Sequence, residues 1–183
     1  MLLHNVYLTI AIAIFLGLLD HFLTIKGYRL YKQKYIQYVE LRYYELNPLW
    51  RENIEKTEYN YLHFLLWILI GIMIYVISIL DINAFYFIQG AILSLYIVVN
   101  ARHIKNLIVF NAVKKNPALL SGKLKTTYLF SLKNASAEML GILIVLLFLF
   151  IFSPSFFTFG VVVGPLFVLL NIMIWTRKHL HSR

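Results

Sequence analysis

Asp20 stands within LTIAIAIFLGLLDHFLTI, an apolar stretch about one membrane thickness long. Burying a carboxyl there costs roughly 2.5 to 3.5 kcal/mol, so an acid kept in such a place has either a partner or a task. Thr24 follows one turn later, which aims an acid and a hydroxyl along one helix face. His21 is adjacent but about 100° round the helix, so the two are not assumed to share a ligand. A second polar series, Gln89, Tyr96, Asn100 and His103, falls at i, i+7, i+11 and i+14 of an otherwise oily segment. Asn106 extends it by a turn, and Arg102 sits beside it with a charge. Lipid does not tolerate such a face, so it is expected to point into a bundle. Interhelical hydrogen bonds worth about 0.6 to 2 kcal/mol each would account for it as well as a site would. His63, Glu138 and Asn171 open or end other apolar segments at a similar depth.

These residue types suit acid and base chemistry. Asp20 and Glu45 could serve as general base or metal ligands, His63 and His103 as ligands or proton donors, and Arg102 as the contact for a phosphate or a developing oxyanion. The cofactor compatible with Asp20, Glu45, His63 and His103 is a divalent metal, although no ligand pair has the i, i+4 spacing of a helical metal site. The chain has no cysteine, which excludes disulfides, thiolate nucleophiles and cysteine-based metal sites. HExxH, GxSxG, P-loop, rhomboid-type GxSG and presenilin-type GxGD motifs are all absent from the sequence.

The elements that position these groups are written in charge and hydropathy. The chain is 61% apolar and 14% charged, with mean hydropathy +0.74, far from an ordinary soluble domain. All 17 lysines and arginines fall in three blocks, Lys26 to Lys56, Arg102 to Lys133 and Arg177 to Arg183. Positive residues beside spans stay on the cytoplasmic side. Five spans satisfy that rule, about 5–26, 61–80, 83–101, 136–153 and 156–176, each near the ~20 residues a hydrocarbon core demands. The expected fold is all-α, a single integral membrane domain over residues 1–183. It is a polytopic transmembrane helical bundle with the N-terminus outside, the C-terminus cytosolic, and cytosolic segments 27–60 and 102–135. Asp81-Ile82-Asn83 and Ser153-Pro154-Ser155 make the short outer turns. The first span lacks a basic leading region and a small-residue cleavage site, so it reads as a retained helix. Abundant Ile, Tyr, Lys and Asn point to an AT-rich prokaryotic genome and a prokaryotic cell membrane.

Between the spans the chain gives further expectations. Tyr28, Tyr31, Tyr35 and Tyr38 recur at steps of three, four and three, one helical face that lies on the membrane as an anchor or packs on a neighbour. Asn47-Pro48 is a break and restart, with a new helix expected near Pro48 and running on into the second span. Its early residues Arg51, Glu52, Glu55, Lys56 and Glu58 are polar, and Glu52 and Lys56 form a favourable i, i+4 pair. The second basic block reads as two short pieces joined by a turn, interrupted at Asn116-Pro117 and Ser121-Gly122, with anionic lipid headgroups as its expected partner. That role and topology account for the net charge of +9 without nucleic acid. Gly160 and Gly164, ahead of Pro165, form a small-xxx-small seam for packing within the chain or for a homo-oligomer.

By depth, Asp20, His21, His63, Asn100, Arg102, His103, Glu138 and Asn171 can ring one cavity open to the cytosol. Glu45 joins it only if the chain turns near Gly27; on a straight helix it would lie about 37 Å from Asp20. Asp20-xxx-Thr24 near the end of a first span, followed by Glu45-x-Asn47-Pro48, resembles a family of small, uncharacterised prokaryotic polytopic membrane proteins. The resemblance covers some 30 residues. It implies that Asp20, Glu45 and Asn47 act together, and it implies no reaction. Three functions stay open. The first is a membrane-embedded enzyme acting on a lipid or membrane peptide. The second is a small ion or proton transporter or channel. The third is a non-catalytic subunit or lipid-binding scaffold with a protein partner at the cytosolic face.

Overall fold

The computed structural model describes residues 5–41, 44–47, 50–57 and 61–181. Among them, five helices are long and apolar enough to cross a membrane. They are α1 (Val6–Gln33), α3 (Tyr61–Leu80), α4 (Ile82–Lys115), α5 (Tyr128–Phe152) and α6 (Phe156–His181), with a short α2 (Arg51–Lys56) between the first two. Side-chain caps start four of the long helices by satisfying backbone N–H groups that have no helical partner. The Asn5 side chain accepts from Leu8, Asp81 from Asn83 and Ala84, Thr127 from Phe130, and Ser155 from Thr158.

α4 is the central element, packed on α1 along one side and on α6 along the other; α3 covers α1, and α5 covers α6. Small residues set the spacing. At Gly90, Gly160 and Gly164 an added Cβ would collide with backbone atoms of the facing helix, so α4 and α6 touch backbone to backbone. The Gly160/Gly164 seam is therefore used inside the chain, against Phe87, Ala91 and Ser94. Gly17 gives the same service to Trp67, whose indole fills the notch and has no exposed surface. Ala13, Trp67, Ile74 and Phe85 form a dry core in the half of the bundle away from the basic blocks.

The helices outrun the expected spans at the basic end. α1 passes Gly27 unbroken and turns only at Lys34, after which Tyr35–Gln37 form a 3-10 turn. α4 continues to Lys115, and α5 begins at Tyr128 rather than near 136. The reason is packing: Tyr28 and Tyr31 are buried with Ile25, Ile54 and Phe110, with Tyr35 and Tyr44 against them. The tyrosine face thus packs on its neighbours, and a second core lies beyond the apolar spans.

Two strands join the basic segments. β1 (Val39–Leu41) pairs in parallel with β2 (Leu124–Thr126), Glu40 opposite Lys125. Lys123 at 3.2 Å and Lys125 at 3.6 Å flank the Glu40 carboxylate. The hydrogen bond from Lys123 and the charge of Lys125 hold that carboxyl below its ordinary value. α2 carries the expected Glu52–Lys56 pair at 2.7 Å. It does not run on into α3, because Thr57 takes a left-handed conformation at φ 58° and ends it. The expected helix start at Pro48, and Glu58, lie outside the described residues.

Candidate functional site

α1 and α4 run in the same direction, and the polar stripe on α4 faces α1 along its length. Near one end the Gln89 amide donates to Thr9 Oγ1 at 2.7 Å. Tyr96 meets the Trp67 indole edge-on at 4.7 Å. Asn100 Nδ2 donates to the carbonyls of Leu16 at 2.9 Å and Tyr96 at 2.8 Å. Nearer the basic end, His103 Nε2 lies 3.0 Å from Asp20 Oδ1 and 3.1 Å from Thr24 Oγ1. Asn106 is half-buried a turn beyond.

The hydrogen-bond directions fix the imidazole. Thr24 spends its hydroxyl hydrogen on the Asp20 carbonyl at 2.8 Å, so its oxygen can only accept from His103. Nε2 therefore carries a hydrogen that it donates to Thr24 Oγ1, and Asp20 Oδ1 lies in contact beside it without accepting a hydrogen bond among the described residues. Nδ1 is buried and has no hydrogen-bond partner among the described residues. A carboxylate on one ring nitrogen and a free second nitrogen is the arrangement of an oriented base.

Glu45 reaches this pair by the turn after Gln33, not by one at Gly27. Its Oε1 accepts the N–H of Asn47 at 2.7 Å. The segment is held from both sides. Arg51 Nε donates to the Glu45 carbonyl at 3.4 Å, and the Tyr128 hydroxyl donates to the Leu46 carbonyl at 2.9 Å. The Arg51 guanidinium also sits 5.0 Å over the Tyr128 ring. Burial pushes the Glu45 carboxyl above its ordinary value; the Asn47 N–H, His103 and Arg51 pull it down and Asp20 pushes it further up. Glu45 is thus within electrostatic reach of both Asp20 and His103. Next to it, the Tyr44 hydroxyl is buried over Gly27, where any Cβ would collide with it. Burial and the Glu45 charge push that phenol upward, so it stays a neutral donor.

Comparisons with family models, with curated proteins and with solved structures return no match for this chain.

The eight residues grouped by depth do not form one ring. Arg102 projects to the other side of α4, where its Nε lies 3.1 Å from Glu138 Oε2 and Lys105 Nζ lies 2.7 Å from Oε1. Both cations are thereby paired with Glu138, and Arg102 is not presented at Asp20 as an anion contact. Asn171 bonds the carbonyl of Phe167 in its own helix at 2.8 Å. His63 stacks on His21 with ring centroids 4.6 Å apart, and its Nε2 lies 3.2 Å from both the Gly17 carbonyl and Trp67 Nε1. Among the described residues, no three His, Asp or Glu side chains converge closely enough to hold a metal ion. Sequence reasoning missed Tyr44, Arg51 and Tyr128, which carry and cover Glu45. Tyr44 and Arg51 lie near Glu45 in sequence, but nothing in the local pattern tied Tyr128, some 80 residues away, to them.

Proposed function

We propose that this chain is an integral membrane protein of a prokaryotic cell membrane. In this reading it works as a membrane-embedded acid–base enzyme on a lipid or a membrane peptide. The positive-inside distribution supports a cytosolic basic end, with the N-terminus outside and the C-terminus inside. Kinship with small prokaryotic polytopic membrane proteins bearing Asp-xxx-Thr and Glu-x-Asn-Pro is part of the same reading. The observation that carries it is the Asp20–His103 contact at 3.0 Å with Glu45 in electrostatic reach. Two carboxyls in unlike environments, one paired to an imidazole and one pushed toward its neutral form, divide the roles of base and acid. Asp20 and Thr24 orient His103, whose Nδ1 takes a proton from the attacking hydroxyl or water. Glu45 returns a proton to the leaving group.

A one-sided site favours an enzyme over a transporter. Trp67, Phe85, Ala13 and Ile74 fill the bundle beyond the cluster, and Gln89 is bonded to Thr9 rather than lining a path. The test is reconstitution into vesicles of mixed lipid extract, with lipid species followed by mass spectrometry. The wild type is expected to change at least one lipid or an added membrane peptide, and His103→Gln to abolish that change. Unchanged substrates together with His103-dependent dissipation of a pH gradient would overturn the enzyme reading in favour of transport.

A further inference from the structure

On its Asp20–His103 side the site is rich in acceptors, although it lies at the basic end of the chain. Glu138 occupies both Arg102 and Lys105, the cations nearest His103 in sequence. The acceptors near His103 are the Asp20 carboxylate, the Glu45 carboxyl, His103 Nδ1 and the side-chain oxygen of Asn100, with Arg51 and the Tyr44 hydroxyl beside Glu45.

Asn100 is 4% exposed, and the orientation of its amide is not free. Both Nδ2 hydrogens are used, on Leu16 and Tyr96. A flipped amide would press its oxygen against two carbonyls, so Oδ1 is fixed as an acceptor. It is buried without a hydrogen-bond partner among the described residues, as His103 Nδ1 is. An unmatched acceptor in that setting is destabilising unless something donates to it. The two acceptors are neighbours, since residues three apart on a helix lie on one face. The Leu16 carbonyl that anchors the Asn100 amide is the helical acceptor for the N–H of Asp20, which places the amide within a turn of the carboxylate.

We propose that this site takes a primary ammonium group: its three N–H donors and positive charge complement the Asn100 oxygen, His103 Nδ1 and the Asp20 carboxylate. The inference rests on the reading of the cluster as a working site, and it names the substrate class as an amine-bearing molecule. The amine could be carried by a lipid headgroup, or by a soluble or peptide amine.

The experiment uses the full chain with nitrogen-15-labelled histidine in nanodiscs and reads the His103 Nδ1 resonance. In phosphatidylcholine nanodiscs, methylammonium is expected to shift it saturably, while tetramethylammonium, which has no N–H, and inorganic phosphate do not. Asn100→Ala is expected to weaken the effect about tenfold, the loss of one hydrogen bond to a charged group. Because Asn100 also braces two carbonyls, Asp20→Asn, which keeps the side-chain shape, is the second variant and is expected to weaken it as well. A shift in phosphatidylethanolamine nanodiscs without added amine assigns the group to a lipid; a shift from methylammonium alone assigns it to a soluble or peptide amine. No shift from either, or an equal shift from tetramethylammonium or phosphate, overturns the proposal. Turnover restricted to lipids that lack an N–H group would sink the ammonium while leaving the acid–base reading. A saturable methylammonium shift with no turnover of any substrate would do the reverse.

Discussion

Replacing Asp20 by Asn and His103 by Gln, singly and together, measures the contact on which the site is built. At 3.0 Å a full charge pair, which this contact becomes only when His103 is protonated, would attract by about 5.5 kcal/mol in an effective dielectric near 20, an upper bound. Most of that is offset by desolvation, because the two side chains keep only 18% and 21% of their surface exposed. What survives for two side chains in contact is an interaction energy of about 0.5 to 3 kcal/mol. The Nε2 hydrogen goes to Thr24 at 3.1 Å, which keeps the coupling to Asp20 below the top of that range. A coupling of about 2 kcal/mol is expected, equivalent to roughly thirtyfold in the unfolding equilibrium. The assay is reversible unfolding of the four proteins in mixed micelles, with the coupling taken from the double-mutant cycle. A coupling below about 0.5 kcal/mol, the level of an exposed surface pair, would refute the reasoning.

Three other outcomes follow from the same geometry. Glu45 has a folded-state value raised above its ordinary 4.5, so the wild type loses stability as pH rises from that value through the raised one. Glu45→Gln removes the loss, and its advantage over the wild type is expected to grow with pH and to vanish below about 4.5. In a pH series of melts that advantage should reach ~1.4 kcal/mol for each tenfold by which folding tightens proton binding at Glu45. Gly164→Ala places a methyl on the Ala91 carbonyl and Ser94 and is expected to lower stability by about 1 to 2 kcal/mol, overpacking less the gain in helix propensity. Gly141→Ala, with nothing within 4 Å, is the control and is expected to be neutral or slightly stabilising in the same thermal assay. Gly17→Ala is expected to destabilise in the same way as Gly164→Ala, and to recover in combination with a smaller residue in place of Trp67.

Much of the bundle was legible because a lipid-facing helix must be apolar along one membrane thickness, and the charge blocks punctuate five such stretches. Hydropathy reports lipid contact rather than helicity. It therefore stopped α1 at 26 and α4 at 101, while the helices continue to Gln33 and Lys115 on the packing of Tyr28, Tyr31 and Phe110. The β1–β2 pair was invisible for a different reason: three residues hold no readable alternation, and the partners lie 85 positions apart. Within the site, the stripe on α4 was legible because its spacing is helical. Depth alone could not separate His103, which faces Asp20, from Arg102, which turns away to Glu138. The return of Glu45 depends on a turn at Lys34 that carries no glycine or proline to announce it.

The central claim is that the charges of Asp20 and His103 reach Glu45, so that the three form one site. The most direct measurement is the carboxyl titration of Glu45, followed by carbon-13 NMR in micelles, in the wild type, in Asp20→Asn and in His103→Gln. The midpoint is expected to lie above the ordinary value in the wild type, to fall when the Asp20 charge is removed, and to rise when the imidazole is removed. A Glu45 that titrates as a free glutamate, with a midpoint indifferent to both substitutions, would contradict the account.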